Sequence, residues 1–156
     1  MKLDKIDQMI LQLLQQDASI SASEIAEKVN LSQPPCWRRI KRLEDQGYIL
    51  KRTAILDPAK LGLNLVIYAQ VKLIANGELA TFEQAVKRID EITECYVMLG
   101  NVDFLLRIDT TDIAGYERLY REQLSKLPGV QEFNTSVAMS AVKRTTQLPV
   151  NLHLQT

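Results

Sequence analysis

The sequence predicts an α+β chain in two parts, an N-terminal winged helix-turn-helix followed by a C-terminal ferredoxin-like βαββαβ domain. Three observations predict it. Three apolar stripes at helical spacing follow one another closely between residues 4 and 46. The stretch "DPAKLGLN", with Pro58 and Gly62, then interrupts the periodicity. Beyond it, strand and helix periods alternate in the order β-α-β-β-α-β. The expected boundaries are 1–56 for the first domain, 57–63 for a linker, 64–149 for the second domain and 150–156 for a tail.

In "LDKIDQMILQLLQQDAS" the apolar residues Ile6, Ile10, Leu13 and Leu14 share one helix face, with Asp4 as N-cap and Asp7 as its box partner. A second helix starts in "SASEIAEKV", capped by Ser21 or Ser23, with Glu24 and Glu27 near its positive end and Ile25, Ala26 and Val29 inward. After the turn "NLS" a third helix runs from about Pro34 to Gln46. Its two prolines fit only a first turn, Ser32 is the expected cap, and Gly47 supplies a left-handed stop. "YILKRTAIL" is rich in β-formers and is expected to give one or two short wing strands.

In the second half, "LNLVIYAQVKL" alternates, with Leu65, Ile67, Ala69, Val71 and Leu73 on one face. "ELATFEQAVKRI" repeats as a helix through Leu79, Phe82, Val86 and Ile89, and "DIAGYERLYREQL" as another through Ile113, Tyr116, Tyr120 and Leu124. "CYVML" and "FLLRI" are strands around the tight "GNVD", and "VQEFNTSVAMSAV" closes the sheet. Both helices then cover one face of four antiparallel strands. The other face carries Tyr68, Tyr96 and Val142, so dimerisation through the sheet is expected.

The chain has 156 residues, 46% hydrophobic and 24% charged, with 19 basic and 19 acidic side chains. Such a composition is that of a globular protein and excludes disorder. "MKLDKIDQ" is too acidic for a signal peptide, and no run nears the roughly 18 apolar residues of a membrane span. Cys36 and Cys95 match no metal or redox spacing. Both are expected to be reduced thiols in a cytoplasmic protein. No cofactor and no metal are expected.

The zero net charge conceals a local excess: residues 33–52 hold six basic and two acidic side chains. At 100° per residue, Cys36, Ile40 and Leu43 form the buried stripe of the third helix. Pro34, Arg38, Lys41 and Arg42 fall opposite, with Trp37 and Arg39 on the flanks. A solvated face usually mixes charge signs, whereas Glu44 and Asp45 come only in the last turn. In a helix-turn-helix, that pattern points to recognition of double-stranded DNA. Ser32, Gln33 and Pro34 would enter the major groove, where Gln33 bonds base edges. Arg38 and Arg42 would reach guanine edges or phosphates, and Arg39, Lys41, Lys51 and Arg52 the backbone. Trp37 packs on the helix flank or stacks on a base.

The run "PCWRRIKRLEDQGYI", taken with "LDPAKLGL", resembles the N-terminal half of the Lrp/AsnC (leucine-responsive/asparagine-regulator, feast/famine) transcription factors. "GNVDFLLRI" is similar to the Gly-x-aromatic-Asp turn of their effector domain, with Val102 departing from the usual aromatic. The resemblance spans about Lys2 to Pro149. It implies a sequence-specific transcriptional regulator that forms homodimers, assembles to octamers around which DNA wraps, and binds a small effector, typically an amino acid, between neighbouring dimers. Carried over, the effector site holds Leu99, Gly100, Asn101 and Asp103, with Thr135, Ser136, Val137 and Ala138 of the closing strand. Asp103 would receive an α-ammonium group; turn N–H groups and the two hydroxyls would receive an α-carboxylate. As plain punctuation, Gly100 and Asp103 are also what a hairpin demands.

Two rival readings remain. Some haem-precursor decarboxylases resemble the same family, but this chain has one histidine, His153 in the tail, and no nucleophile–base pair, so no enzyme is expected. A nucleoid-associated architectural protein that wraps DNA without an effector would carry much the same sequence.

Overall fold

The computed structural model describes residues 3–74 and 79–150. His153 and most of the expected tail lie outside them. Two compact units form: Met1–Ile55 together with Lys143–Thr156, and Leu56–Val142. The sequence boundary at 149 therefore differs from the structural one, because the chain after residue 142 rejoins the N-terminal unit. There the Gln15 side-chain amide donates to the Leu148 carbonyl and accepts from the Leu148 N–H, both at 2.9 Å.

The first unit holds α1 (Lys5–Gln16), α2 (Ala22–Lys28) and α3 (Gln33–Asp45). Reciprocal capping boxes start the first two. Asp4 and Asp7 exchange side-chain-to-backbone bonds at α1, as do Ser21 and Glu24 at α2. The α2–α3 turn closes on Asn30, whose left-handed φ of 55° lets the Leu31 N–H reach the Ala26 carbonyl at 2.9 Å. Gly47, at φ 75°, ends α3 in the same way, with Tyr48 N–H on the Leu43 carbonyl. Ile10, Leu14, Ile25, Ala26, Val29, Cys36, Ile40 and Leu43 make the core. Burial pushes the Cys36 thiol up from its ordinary pKa, so it is a packing residue in protonated form.

The expected wing strands are absent. Residues 50–57 carry no regular structure, and Leu50, Ile55 and Leu56 are exposed. A strand exists only by pairing, and the chain offers this segment no partner ladder. The linker is a hydrogen-bonded turn: Leu61 and Leu63 N–H groups donate to the Pro58 carbonyl, and Asp57 accepts from the Ala59 N–H.

The second unit holds β1 (Leu65–Leu73), α4 (Leu79–Val86), β2 (Ile92–Val97), β3 (Phe104–Thr110), α5 (Ile113–Glu122), a 3-10 turn (Leu124–Lys126) and β4 (Val130–Ala138). The strands run antiparallel in the order β2-β3-β1-β4. On β1 the alternation sorts as expected, with Ile67, Ala69, Val71 and Leu73 buried and the residues between them facing away. Phe82 of α4 meets Phe104 of β3 with ring centroids 4.6 Å apart, and both are fully buried. β4 stops at Ala138, so Val142 lies past the sheet rather than on its open face. No described helix is long and apolar enough to cross a membrane.

Two predictions follow from this packing and capping. Phe104→Ala removes a ring from the centre of the sheet domain and is expected to cost about 3–5 kcal/mol, measured by urea unfolding. In the other unit, Asp4, Asp17 and Glu24 are held below the ordinary carboxylate range. The causes are, respectively, the Asp7 backbone N–H, the Ser19 hydroxyl and the Ser21 hydroxyl. Their stabilisation is complete above an ordinary carboxylate pKa of about 4 and is lost as pH falls from there through the folded-state values. Acid titration followed by Trp37 fluorescence should show the N-terminal unit losing stability in that window.

Candidate nucleic-acid interface and effector site

The exposed face of α3 carries Gln33, Pro34, Trp37, Arg38 and Lys41, with the cap Ser32 also exposed. Ser32 makes no side-chain cap bond. Pro34 and Pro35 have no N–H, and the Cys36 N–H is used by the Ser32 carbonyl at 3.3 Å. A helix start usually offers several free N–H groups to an anion. This one instead presents the Ser32 hydroxyl and the Gln33 amide, groups suited to base edges rather than to a phosphate cradle.

The structure divides the six basic residues. Arg38 and Lys51 are exposed and have no ion-pair partner among the described residues. Lys41 lies 3.2 Å from Asp45 and 3.8 Å from Glu44, in exposed pairs that contribute little and are easily exchanged. Arg52 reaches Glu44 at 3.1 Å and the Ala18 carbonyl at 3.3 Å. Arg39 and Arg42 turn the other way, toward α1. Arg39 Nη1 bonds Asp4 at 2.6 Å and Asp7 at 2.8 Å, and Arg42 Nη2 bonds both oxygens of Asp7 at 2.8 and 2.9 Å. The Asp7 side chain is only 2% exposed. The Asp4 carboxylate beside Arg39 raises the guanidinium's pKa further above its ordinary value. The wheel placed Arg42 beside Arg38, but it locates the Cα, and a side chain that long can reach back to the core.

Trp37 is 57% exposed and lines a cleft of about 330 Å³ between α2 and α3, with Ile20, Ile25, Ile40 and Arg52 around it. The ring therefore stands on the helix flank, open on one side.

The sheet domain separates the expected effector residues into two groups. Leu99, Gly100 and Asn101 form an exposed turn between β2 and β3, with Gly100 at φ 153°. Asp103 closes that turn. Its N–H donates to the Val71 carbonyl, its carbonyl accepts from Met98, and its Oδ2 accepts from the Leu73 N–H at 2.7 Å. That last bond caps β1 where the register with β4 shifts between Lys72 and Leu73. Asp103 thus has a structural task, with its second oxygen outside that bond.

Thr135, Ser136, Val137 and Ala138 sit opposite Ala69, Tyr68, Ile67 and Val66. The turn lies beyond Val71, toward the other end of β1. At about 3.4 Å per residue the two groups stand roughly 7–17 Å apart along the strands, and two strands apart across the sheet. The four β4 residues also alternate in direction. Thr135 and Val137 face the helices, while Ser136 and Ala138 face the open side. One small molecule cannot touch the turn and all four strand residues within a single chain.

The open sheet face holds a network that sequence reading missed. Arg107 bonds Asp109 at 3.0 Å and Glu94 at 3.3 Å, Thr93 bonds Asp109, and Tyr96 bonds Glu94 at 3.1 Å. Tyr68 lies across from Arg107, and Asp109 is only 5% exposed. The signal was present in "FLLRIDT", where Arg107 and Asp109 at i and i+2 share one face of a strand. Asp7, read only as a box partner, was missed for the opposite reason, since its partners lie more than thirty residues away. Among the described residues no cluster of His, Cys, Asp and Glu is gathered that could hold a metal.

Comparison with known proteins accounts for both halves. Residues 3–49 match a winged helix-turn-helix DNA-binding family and residues 66–148 the Lrp/AsnC ligand binding domain. The chain is 42% identical over 145 residues to the proline dehydrogenase transcriptional activator of Rhizobium radiobacter, covering 92% of this chain and 93% of that protein. It is 38% identical over 150 residues to the DNA-binding transcriptional activator DecR of Escherichia coli K12, covering 95% and 99%. A crystal structure of a Neisseria meningitidis transcriptional regulator complexed with L-methionine superposes with a TM-score of 0.91 at 33% identity, covering 96% of this chain and 98% of that one. With a helix-turn-helix presenting a cationic face and a ferredoxin-like domain matched along nearly its whole length, the chain belongs to the Lrp/AsnC family of DNA-binding transcriptional regulators.

Proposed function

We propose that this regulator controls transcription in the cytoplasm by sequence-specific binding of double-stranded DNA and that it responds to a small effector, an amino acid. The observation that carries the DNA reading is the exposed α3 face, on which Arg38, with no ion-pair partner among the described residues, stands near a helix start that presents Ser32 and Gln33. Gln33 and Arg38 read base edges, Lys41, Lys51 and Arg52 contact phosphates, and Pro34 and Trp37 make apolar contact.

For the effector, the support is the matched ligand-binding domain and the L-methionine bound by the Neisseria relative. The turn 99–103 and the β4 residues lie too far apart to act together within one chain. The effector site is therefore completed between copies, the turn of one facing β4 of another. Homodimers form through the open sheet face, where Tyr68, Tyr96 and the Arg107–Asp109 pair await cover, and associate into a higher oligomer, an octamer. A ligand that binds one arrangement of dimers better than another shifts the recognition helices into or out of register with operator half-sites.

Two measurements test this. Arg38→Ala should weaken operator binding by about 1–3 kcal/mol and relax specificity at one base pair, read by competition against single-base operator variants. An unchanged affinity removes Arg38 from the site. In a thermal-unfolding panel against the twenty amino acids, an effector at about 100 times its Kd should stabilise the protein by roughly 2.7 kcal/mol. Asp103→Asn keeps an acceptor for the Leu73 N–H while removing the charge, so it should abolish that shift without lowering the ligand-free Tm. A flat panel refutes the amino-acid reading.

A further inference from the structure

Two carboxylates at the start of α1, Asp4 and Asp7, bond the guanidinium groups of Arg39 and Arg42. Asp7 is buried, accepts from both guanidinium groups at 2.8–2.9 Å, and has Asp4 beside it at 2.6 Å from Arg39. The Arg42 side chain stays 42% exposed, yet its Nε is buried with no hydrogen-bond partner among the described residues. Such a group forfeits a hydrogen bond to keep its place against Asp7, unlike a surface cation that merely rests on a neighbour. Two cations and two anions sum to zero, so the cluster presents DNA with no net charge. One Arg42 nitrogen, Nη2, spans both Asp7 oxygens and ties α3 to α1.

We infer that Asp7 is a positioning residue for DNA binding: it holds Arg39 and Arg42 in an internal neutral cluster that orients the recognition helix and withholds both guanidinium groups from the phosphates. This rests on the DNA-binding reading above and narrows it. Arg38 and Lys51 are left as the cations the duplex meets first, and Asp4 and Asp7 suppress the nonspecific affinity that two more arginines would supply. The consequence is for selectivity. Phosphate contacts act on every sequence alike, so removing them lowers random-DNA binding while leaving base reading intact.

The test is the salt dependence of full-length protein binding to a random-sequence duplex, alongside urea unfolding of each variant. Each phosphate contact contributes about 0.9 to the slope, in magnitude, with which log K falls against log salt. Lys51→Gln should lower the slope by about that amount. Arg42→Gln should lower stability yet leave the slope as in wild type. Asp7→Asn should raise the slope by about 0.9, because Arg42 is released while Arg39 stays with Asp4, and random-duplex affinity should rise with it. A purely structural Asp7 would change stability and leave the slope alone. A slope that falls in Arg42→Gln, or fails to rise in folded Asp7→Asn, overturns the inference. Should either single variant not fold, the neutral pair Asp7→Asn with Arg42→Gln carries the test: a wild-type slope supports the inference and a drop of about 0.9 refutes it. A wild-type chain that binds no duplex at all overturns the DNA-binding reading, and this inference with it, before any variant is compared.

Discussion

A carboxylate as buried as that of Asp7 is tolerable only when its charge is met, and α3 meets it twice. The pairing with Arg39 and Arg42 has the geometry that makes a buried ion pair hold: short, charge-assisted and shared between two cations. Other features of the N-terminal unit arrange themselves around it. α1 must start at Asp4, because the capping box that begins the helix also brings Asp4 to Arg39. The α3 stripe of Cys36, Ile40 and Leu43 then seats at one rotation, and Arg38 and Lys41 are left pointing outward. Local capping and long-range electrostatics use the same two side chains.

The sheet domain is governed by a different constraint, its uncovered face. Both helices pack on the side of Phe104, Leu106 and Ile108, while the opposite side is polar at Gln70, Lys72, Asn134 and Ser136 as well as around Arg107. There Arg107 is held by Asp109 and Glu94, each of which has a further partner in Thr93 or Tyr96. A network so nearly satisfied within one chain can be covered by a second copy with little further desolvation cost, while Tyr68 and Tyr96 supply apolar area beside it.

Much of the fold was legible because its signals are local. The Asp4–Asp7 capping box, the left-handed Gly47 and the alternation from Leu65 to Leu73 involve residues within a few positions of one another and appear as expected, while the cap of α2, open between Ser21 and Ser23 in the sequence, falls on Ser21. The failures have physical causes as specific as the successes. The wing was expected from β propensity, but propensity describes a surface awaiting a partner, and residues 50–57 have none in this chain. β4 ends four residues early for the same reason: its neighbour β1 begins at Leu65 and offers no ladder beyond Ala138. The effector residues are a different case, since the resemblance places them between neighbouring dimers and a single chain holds the turn and β4 apart.

What the sequence by itself determined is the order of elements, the buried stripes and the concentration of positive charge on one helix, since each depends on spacing along a few turns or a single strand. Only the tertiary structure decided which of those charges remain for a partner. Arg38, Arg39, Lys41 and Arg42 are near-equivalent as letters. They become different objects once α1 brings Asp7 within 3 Å of two of them, because an electrostatic interaction depends on the distance between charged atoms. Separation in sequence does not encode that distance until the chain has folded.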